Sequence, residues 1–123
     1  MYEDEITVDG ETRPVPYMPG TEPSLLEPQV VETLRTVFDP EIPVNVFDLG
    51  LIYDLRIDEQ GRVRIIMTLT TPSCPVAEEL PNWIKRAVNS IEGVSAVEIE
   101  LVWDPFWKPD YMVEEARLQL GLW

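Results

Sequence analysis

Leu51 to Leu69 reads LIYDLRIDEQGRVRIIMTL, and the fold follows from how this stretch is divided. Leu51 to Ile57 and Val63 to Leu69 are rich in β-branched and aliphatic residues, and Asp58-Glu59-Gln60-Gly61 between them has turn chemistry. Two strand-forming runs around a short glycine-containing turn predict an antiparallel hairpin. Downstream, Val76, Leu80, Ile84 and Val88, with Ala77, Ala87 and Ile91, fall on one face of a helix over 75–91. Pro81 sits inside that pattern, where its missing N–H predicts a kink or a restart. After Glu92-Gly93, VSAVEIELVW reads as a third strand. Strand, helix, strand at this spacing is a right-handed crossover, so the second and third strands should run parallel in a mixed sheet.

Upstream, Val30, Val31, Leu34, Val37 and Phe38 form the stripe of an amphipathic helix, with Pro28 suited to its first turn and Asp39-Pro40 ending it. EIPVNVFDLG (41–50) is too rich in turn residues for regular structure and reads as a loop. A last helix is expected from Asp110 to Leu120, with Met112, Ala116 and Leu120 on one side and Gly121 as its stop. The predicted order is α-β-β-α-β-α, an α+β domain built as a small two-layer α/β sandwich on a three-stranded mixed sheet. Residues 1–23 hold four prolines, two glycines and no sustained apolar period. They read as an acidic, poorly ordered or loosely packed lead-in with a short extended stretch at Glu5 to Val8, and 24–123 as the domain proper.

Composition narrows the chemistry. At 123 residues the chain fits one domain, and no apolar run approaches the roughly 20 residues that span a bilayer. The first residues carry acids where a signal peptide needs a basic and then an apolar stretch, so the cytoplasm is the expected compartment. There is no histidine, which removes Ser-His-Asp and Cys-His catalysis and most zinc hydrolase designs. Nine basic against 23 acidic residues leave a net charge of −14, which repels phosphate backbones, so no nucleic-acid partner is expected.

The single cysteine, Cys74, lies in TTPSCP between Pro72 and Pro75. One cysteine forms no internal disulfide and cannot alone complete a structural zinc site. The spacing predicts Cys74 as N-cap of the second helix, with Pro75 as its first residue. Unbonded N–H groups and the helix dipole there would favour a thiolate, which is both nucleophile and metal ligand. Thr70, Thr71 and Ser73 add hydroxyls that can donate to the sulfur. Against this stands the burial of most free cysteines as small hydrophobes, and the residues alone leave both readings open. Asp39, Glu41 and Asp48 either shape the thiol's pocket or serve their own turns. Gly50 answers a backbone need, positive φ or close approach. Trp103, Phe106, Trp107 and Tyr111 either form a partner-docking surface or close the end of a small core.

DPEIPVNVFDLGLIYDL, MTLTTPSCPVAEELP, EGVSAVEIELVWDPFW and EEARLQLGL, in this order over residues 28–122, resemble the Fe–S cluster assembly domain family, and most of all its stand-alone accessory type. Two other members of the family fit less well: there is no phosphate-cradling GxxxxGK[ST] run as in P-loop carriers, and RLQLGLW lacks the C-terminal cysteines of the ring-oxygenation subunit. The resemblance implies a non-enzymatic role in cluster assembly or transfer, alongside SUF-type assembly machinery and apo Fe–S client proteins. It places Cys74 at the family's cysteine position and Asp39, Glu41, Asp48 and Thr70 around it. Because clusters are normally held by four thiolates, Cys74 would be a transient ligand shared with another chain, in a homodimer or with a client, or with a small thiol, and no cluster would be stably bound. A cysteine-based redox enzyme and a protein-interaction module without a reactive thiol are the rival readings.

Overall fold

The computed structural model describes residues 4–70 and 79–121. Its centre is the expected three-stranded mixed sheet, in the order β3 (Ile52–Ile57), β4 (Arg62–Met67), β5 (Ala96–Leu101). β3 and β4 are antiparallel, and β4 and β5 are parallel in the register Arg62↔Ala96 to Met67↔Leu101. Asp58 makes the hairpin turn. Its Oδ1 accepts from the N–H groups of Gln60 and Arg62, both at 2.9 Å, and its Oδ2 from Arg62 Nε at 2.6 Å. Those bonds, the Arg62 N–H first, hold its carboxyl below the usual carboxylate range.

Strand alternation sends the sheet's side chains to two cores. On the inner face Leu55, Ile57, Val63, Ile65, Met67 and Val97 pack against α1 (Glu27–Leu34) and α2 (Leu80–Asn89) through Val30, Val31, Leu34, Leu80, Ile84 and Val88. A bulge between Ile52 and Asp54 resets the alternation, so Ile52 joins this core and Tyr53 turns to the other face.

The outer face is covered by residues taken from the sequence as a loose lead-in. Glu5–Val8, the expected extended stretch, is β1, and it pairs antiparallel with β2 (Glu11–Pro14). The turn dipeptide Asp9-Gly10 between Ile6-x-Val8 and Val15 is the signal of a hairpin that the proline content obscured. Ile6, Val8 and Val15 meet Tyr53, Ile66 and Tyr111 in a second buried cluster.

Two helix boundaries differ from the sequence expectation, and α2 is described only from residue 79 onward. α1 ends at Leu34, not Phe38, because Thr36 turns back onto the Thr33 carbonyl with both its N–H and its hydroxyl. The chain then runs extended, and Phe38 bridges Asn45. The described part of α2 begins at Leu80 with Glu79 as N-cap, so Pro81 stands in a first turn, where its missing N–H costs nothing. The expectation of Cys74 as N-cap, with Pro75 as the first helical residue, falls on residues 71–78, which lie outside the described residues. The final helix is split into a 3₁₀ turn, Pro109–Tyr111, and α3, Glu114–Gln119. Met112 and Val113 between them are extended, because Met112 is buried in the main core and the Val113 N–H donates to the Asp48 carbonyl at 2.9 Å. Among the described residues no helix is long and apolar enough to cross a membrane.

Candidate functional site

The start of β3, the end of β4 and the end of β5 lie side by side at one end of the sheet, as Ile52↔Met67↔Leu101 requires. The pairing continues past the strands: the Thr68 N–H donates to the Leu51 carbonyl at 3.0 Å and the Val102 N–H to the Met67 carbonyl at 2.9 Å. The loop before β3 therefore meets the segment leaving β4 and the aromatic stretch after β5. Cys74, Thr71 and Ser73 lie outside the described residues; Thr70, half-buried, is the last described position before them.

Asp39 is buried, and its Oδ1 accepts from the N–H groups of Glu41 at 2.7 Å and Ile42 at 3.0 Å. It shapes this turn and does not terminate α1. Glu41 is exposed. Asp48 and Asn45 grip each other: Asp48 N–H donates to Asn45 Oδ1 at 2.9 Å, and Asn45 Nδ2 donates to Asp48 Oδ2 at 3.0 Å. Asp48 Oδ1 faces Arg35 Nε at 3.4 Å, and the Arg35 guanidinium lies 5.1 Å from the centre of the Phe47 ring. Asp39 and Asp48 thus hold one continuous loop, linked through the Phe38–Asn45 bridge.

Gly50 follows with φ +79°, and a Cβ there would stand 2.7 Å from the carbonyl carbon and the Cβ of Tyr111 and closer still to its carbonyl oxygen. Both backbone needs expected of this glycine, positive φ and close approach, are present. The C-terminal segment clamps the same place. Trp107 Nε1 donates to the Leu49 carbonyl at 2.7 Å, and Val113 N–H to that of Asp48.

The four aromatics do not form one platform. Tyr111 is buried edge-on against Tyr53, with ring centres 5.8 Å apart at 87°, and Trp103 and Trp107 are half-buried against the main core. Only Phe106 is open, at 67% exposure. The stretch chiefly closes the end of the core, and of the four Phe106 alone presents its ring to solvent.

Sequence reasoning missed Arg35, which brings a cation to the loop, and Thr68, fully buried with no partner for its hydroxyl among the described residues. Arg35 could have been found as the one base between Arg13 and Arg56, at the C-cap of α1; nothing in TLTT singles out Thr68. Among the described residues no group of three or more carboxylate, thiol or imidazole side chains could hold a metal ion.

A small α+β domain whose polar loop, β4 exit and C-terminal aromatics converge at one sheet end is the class defined by this geometry. Residues 27–101 match the family model described as "Iron-sulfur cluster assembly protein", and the chain belongs to that family. It is 50% identical over 95 residues to an "Fe-S protein maturation auxiliary factor" of Porphyromonas gingivalis, covering 77% of this chain and 90% of that one. It is 33% identical to the "Fe-S protein maturation auxiliary factor SufT" of Staphylococcus aureus, over 70% of this chain and 98% of that one. A domain of unknown function from Bacillus anthracis, 32% identical, superposes with a TM-score of 0.74 over 80% of this chain and 93% of its own.

Proposed function

We propose that this protein is a non-enzymatic accessory factor in iron-sulfur cluster assembly or transfer, acting in the cytoplasm with SUF-type machinery and apo client proteins. The observation that carries the reading is that the family match spans the sheet and both inner-face helices, and that the similarity covers 90% and 98% of two relatives named as auxiliary factors. The cluster is cargo. Cys74 is a transient ligand or handover contact, within a rim built by Asp39, Glu41, Asp48, Thr70, Thr71 and Ser73. With one thiol per chain and no histidine, the remaining ligands must come from a second copy, a client or a small thiol. Phe106 is the docking contact of the aromatic stretch, with Trp103, Trp107 and Tyr111 fixing its backbone.

The test is reconstitution without oxygen of wild type and Cys74→Ala, followed by visible absorption and by transfer to an apo-acceptor. Wild type should take up and pass on cluster, and the variant should lose both. Equal uptake and transfer by the two proteins would refute the role of the thiol. Peroxide-dependent thiol loss at a catalytic rate without iron uptake would replace the reading with a redox enzyme.

A further inference from the structure

We propose that the N-terminal hairpin, residues 4–15, is a charge-latched cover over the outer face of the sheet that opens as a unit while the rest of the domain stays folded. Three observations carry this. The first is how little backbone joins the hairpin to the sheet: among the described residues, the backbone–backbone bond to β3 comes from the Tyr17 N–H, past the hairpin, to the Ile52 carbonyl at 2.8 Å, and within the hairpin the Val8 carbonyl accepts from the Arg56 side chain at 3.3 Å. Tyr17 itself is anchored behind the hairpin, its hydroxyl donating to the buried Glu27 carboxylate, which also accepts from the Gly20 N–H at 2.8 Å. The chain at Pro16-Tyr17 is therefore a fixed root, and everything before it is held by side chains.

The second observation is the kind of side chain involved. Arg56 and Arg64 stand directly opposite each other on β3 and β4, where like charges repel. Asp9, at the hairpin turn, bridges them, 3.4 Å from Arg56 Nη1 and 2.9 Å from Arg64 Nη1. Arg13 reaches the buried Asp54 at 3.5 Å, Glu11 reaches Arg56 at 3.3 Å, and Asp4 meets Lys108 at 2.8 Å. Except for Asp54 these groups are solvent-accessible, so salt screens the latch.

The third observation concerns what separation would leave behind. On the sheet, Asp54 keeps Arg56 at 3.0 Å and Arg64 keeps Glu100 at 3.1 Å; on the hairpin, Arg13 keeps Glu11 at 2.9 Å. Asp54, the buried ion of the latch, keeps Arg56, and Asp4 and Asp9 are solvent-accessible, so lifting strands no buried ion, the cost that normally makes such a separation prohibitive. What resists it is the apolar contact of Ile6, Val8 and Val15 with Tyr53, Ile66 and Tyr111. A two-stranded hairpin off its support is marginal in water, so lifting exposes its amides. The device lies ahead of the family-matched residues 27–101, and its test does not depend on any cluster.

Native-state amide exchange of the full chain, followed by NMR at about 0.05 M and about 0.5 M salt, reads the opening directly. The hairpin reporter is the Val15 N–H, bonded to the Asp4 carbonyl; the sheet reporters are those of Thr68 and Val102. Val15 should exchange at least about tenfold faster than either sheet reporter, as a sub-global opening does. Salt and Arg13→Gln should each speed Val15 further and leave Thr68 and Val102 unchanged. Exchange of all three at one common rate, with salt and Arg13→Gln moving them together or not at all, would overturn the proposal.

Discussion

Replacing Gly50 by alanine should be among the most damaging single-methyl additions this fold can receive. The backbone there has φ +79°, which costs an L-residue about 1–2 kcal/mol. The added carbon would also stand 2.7 Å from two atoms of Tyr111. Tyr111 cannot withdraw, since it is buried against Tyr53 and its neighbour Met112 is locked in the main core. Displacing packed backbone adds about 1–3 kcal/mol. The expected loss is therefore about 2–5 kcal/mol, or roughly 8–20 °C in Tm at close to 4 °C per kcal/mol for a domain of this size. Urea denaturation followed by tryptophan fluorescence measures it. Gly20→Ala is the control, because Gly20 has φ +91° with nothing within 4 Å of the added carbon and so bears the conformational cost alone. A loss at Gly50 below about 1 kcal/mol, or one equal to that at Gly20, would refute the close approach to Tyr111 as the reason for glycine.

Two further predictions concern the same end of the molecule and the two cores. Burial, reinforced by the Glu27 carboxylate at Tyr17 and by Asp4 at Tyr53 and Tyr111, pushes all three phenols above their ordinary value. The folded state then retains protons that the unfolded chain releases above a pH of about 10. Stability should be insensitive to these groups below that pH and fall beyond it, by up to about 4 kcal/mol per pH unit while all three stay protonated. Urea midpoints between about pH 8 and about pH 11.5 test this; a flat or rising series contradicts it, and Tyr17→Phe should flatten the fall. Asp39→Ala leaves two N–H groups of a partly buried turn without their acceptor and should cost about 1–3 kcal/mol. Asp39→Asn, which keeps Oδ1, should cost less than half as much in the same urea assay, and equal losses would mean that charge, not the acceptor, is what the turn uses.

The sheet was legible because its signals are local: β-branched and aliphatic runs in β3 and β4, a turn headed by Asp58, and a crossover length that leaves β5 little choice but to run parallel to β4. Helix ends were less legible, since they are decided by distant partners. Nothing near Val113 in sequence announces that its N–H will bond the Asp48 carbonyl and break the last helix. α1 stops early for a more local reason, the Thr36 back-bond, but the apolar stripe through Val37 and Phe38 masked it. The N-terminal hairpin was obscured by its prolines, although Asp9-Gly10 and the spacing of Ile6, Val8 and Val15 carried it. At the site, Gly50 was readable from the chemistry of glycine. The partnership of Asp48 with Asn45 and Arg35 was not, because it joins a loop to a helix end thirteen positions away in the chain.

The clamp formed by Trp107 and Val113 bears on where the working unit of this fold ends. Both residues lie beyond the family-matched span, yet they supply donors to consecutive carbonyls, Leu49 and Asp48, inside it. A fragment cut at Leu101 would retain every strand and both inner-face helices but release the loop ahead of β3 from its outside brace. The family-matched core and the piece able to hold its own polar loop in shape are thus different lengths of chain, and the extra dozen residues belong to the second.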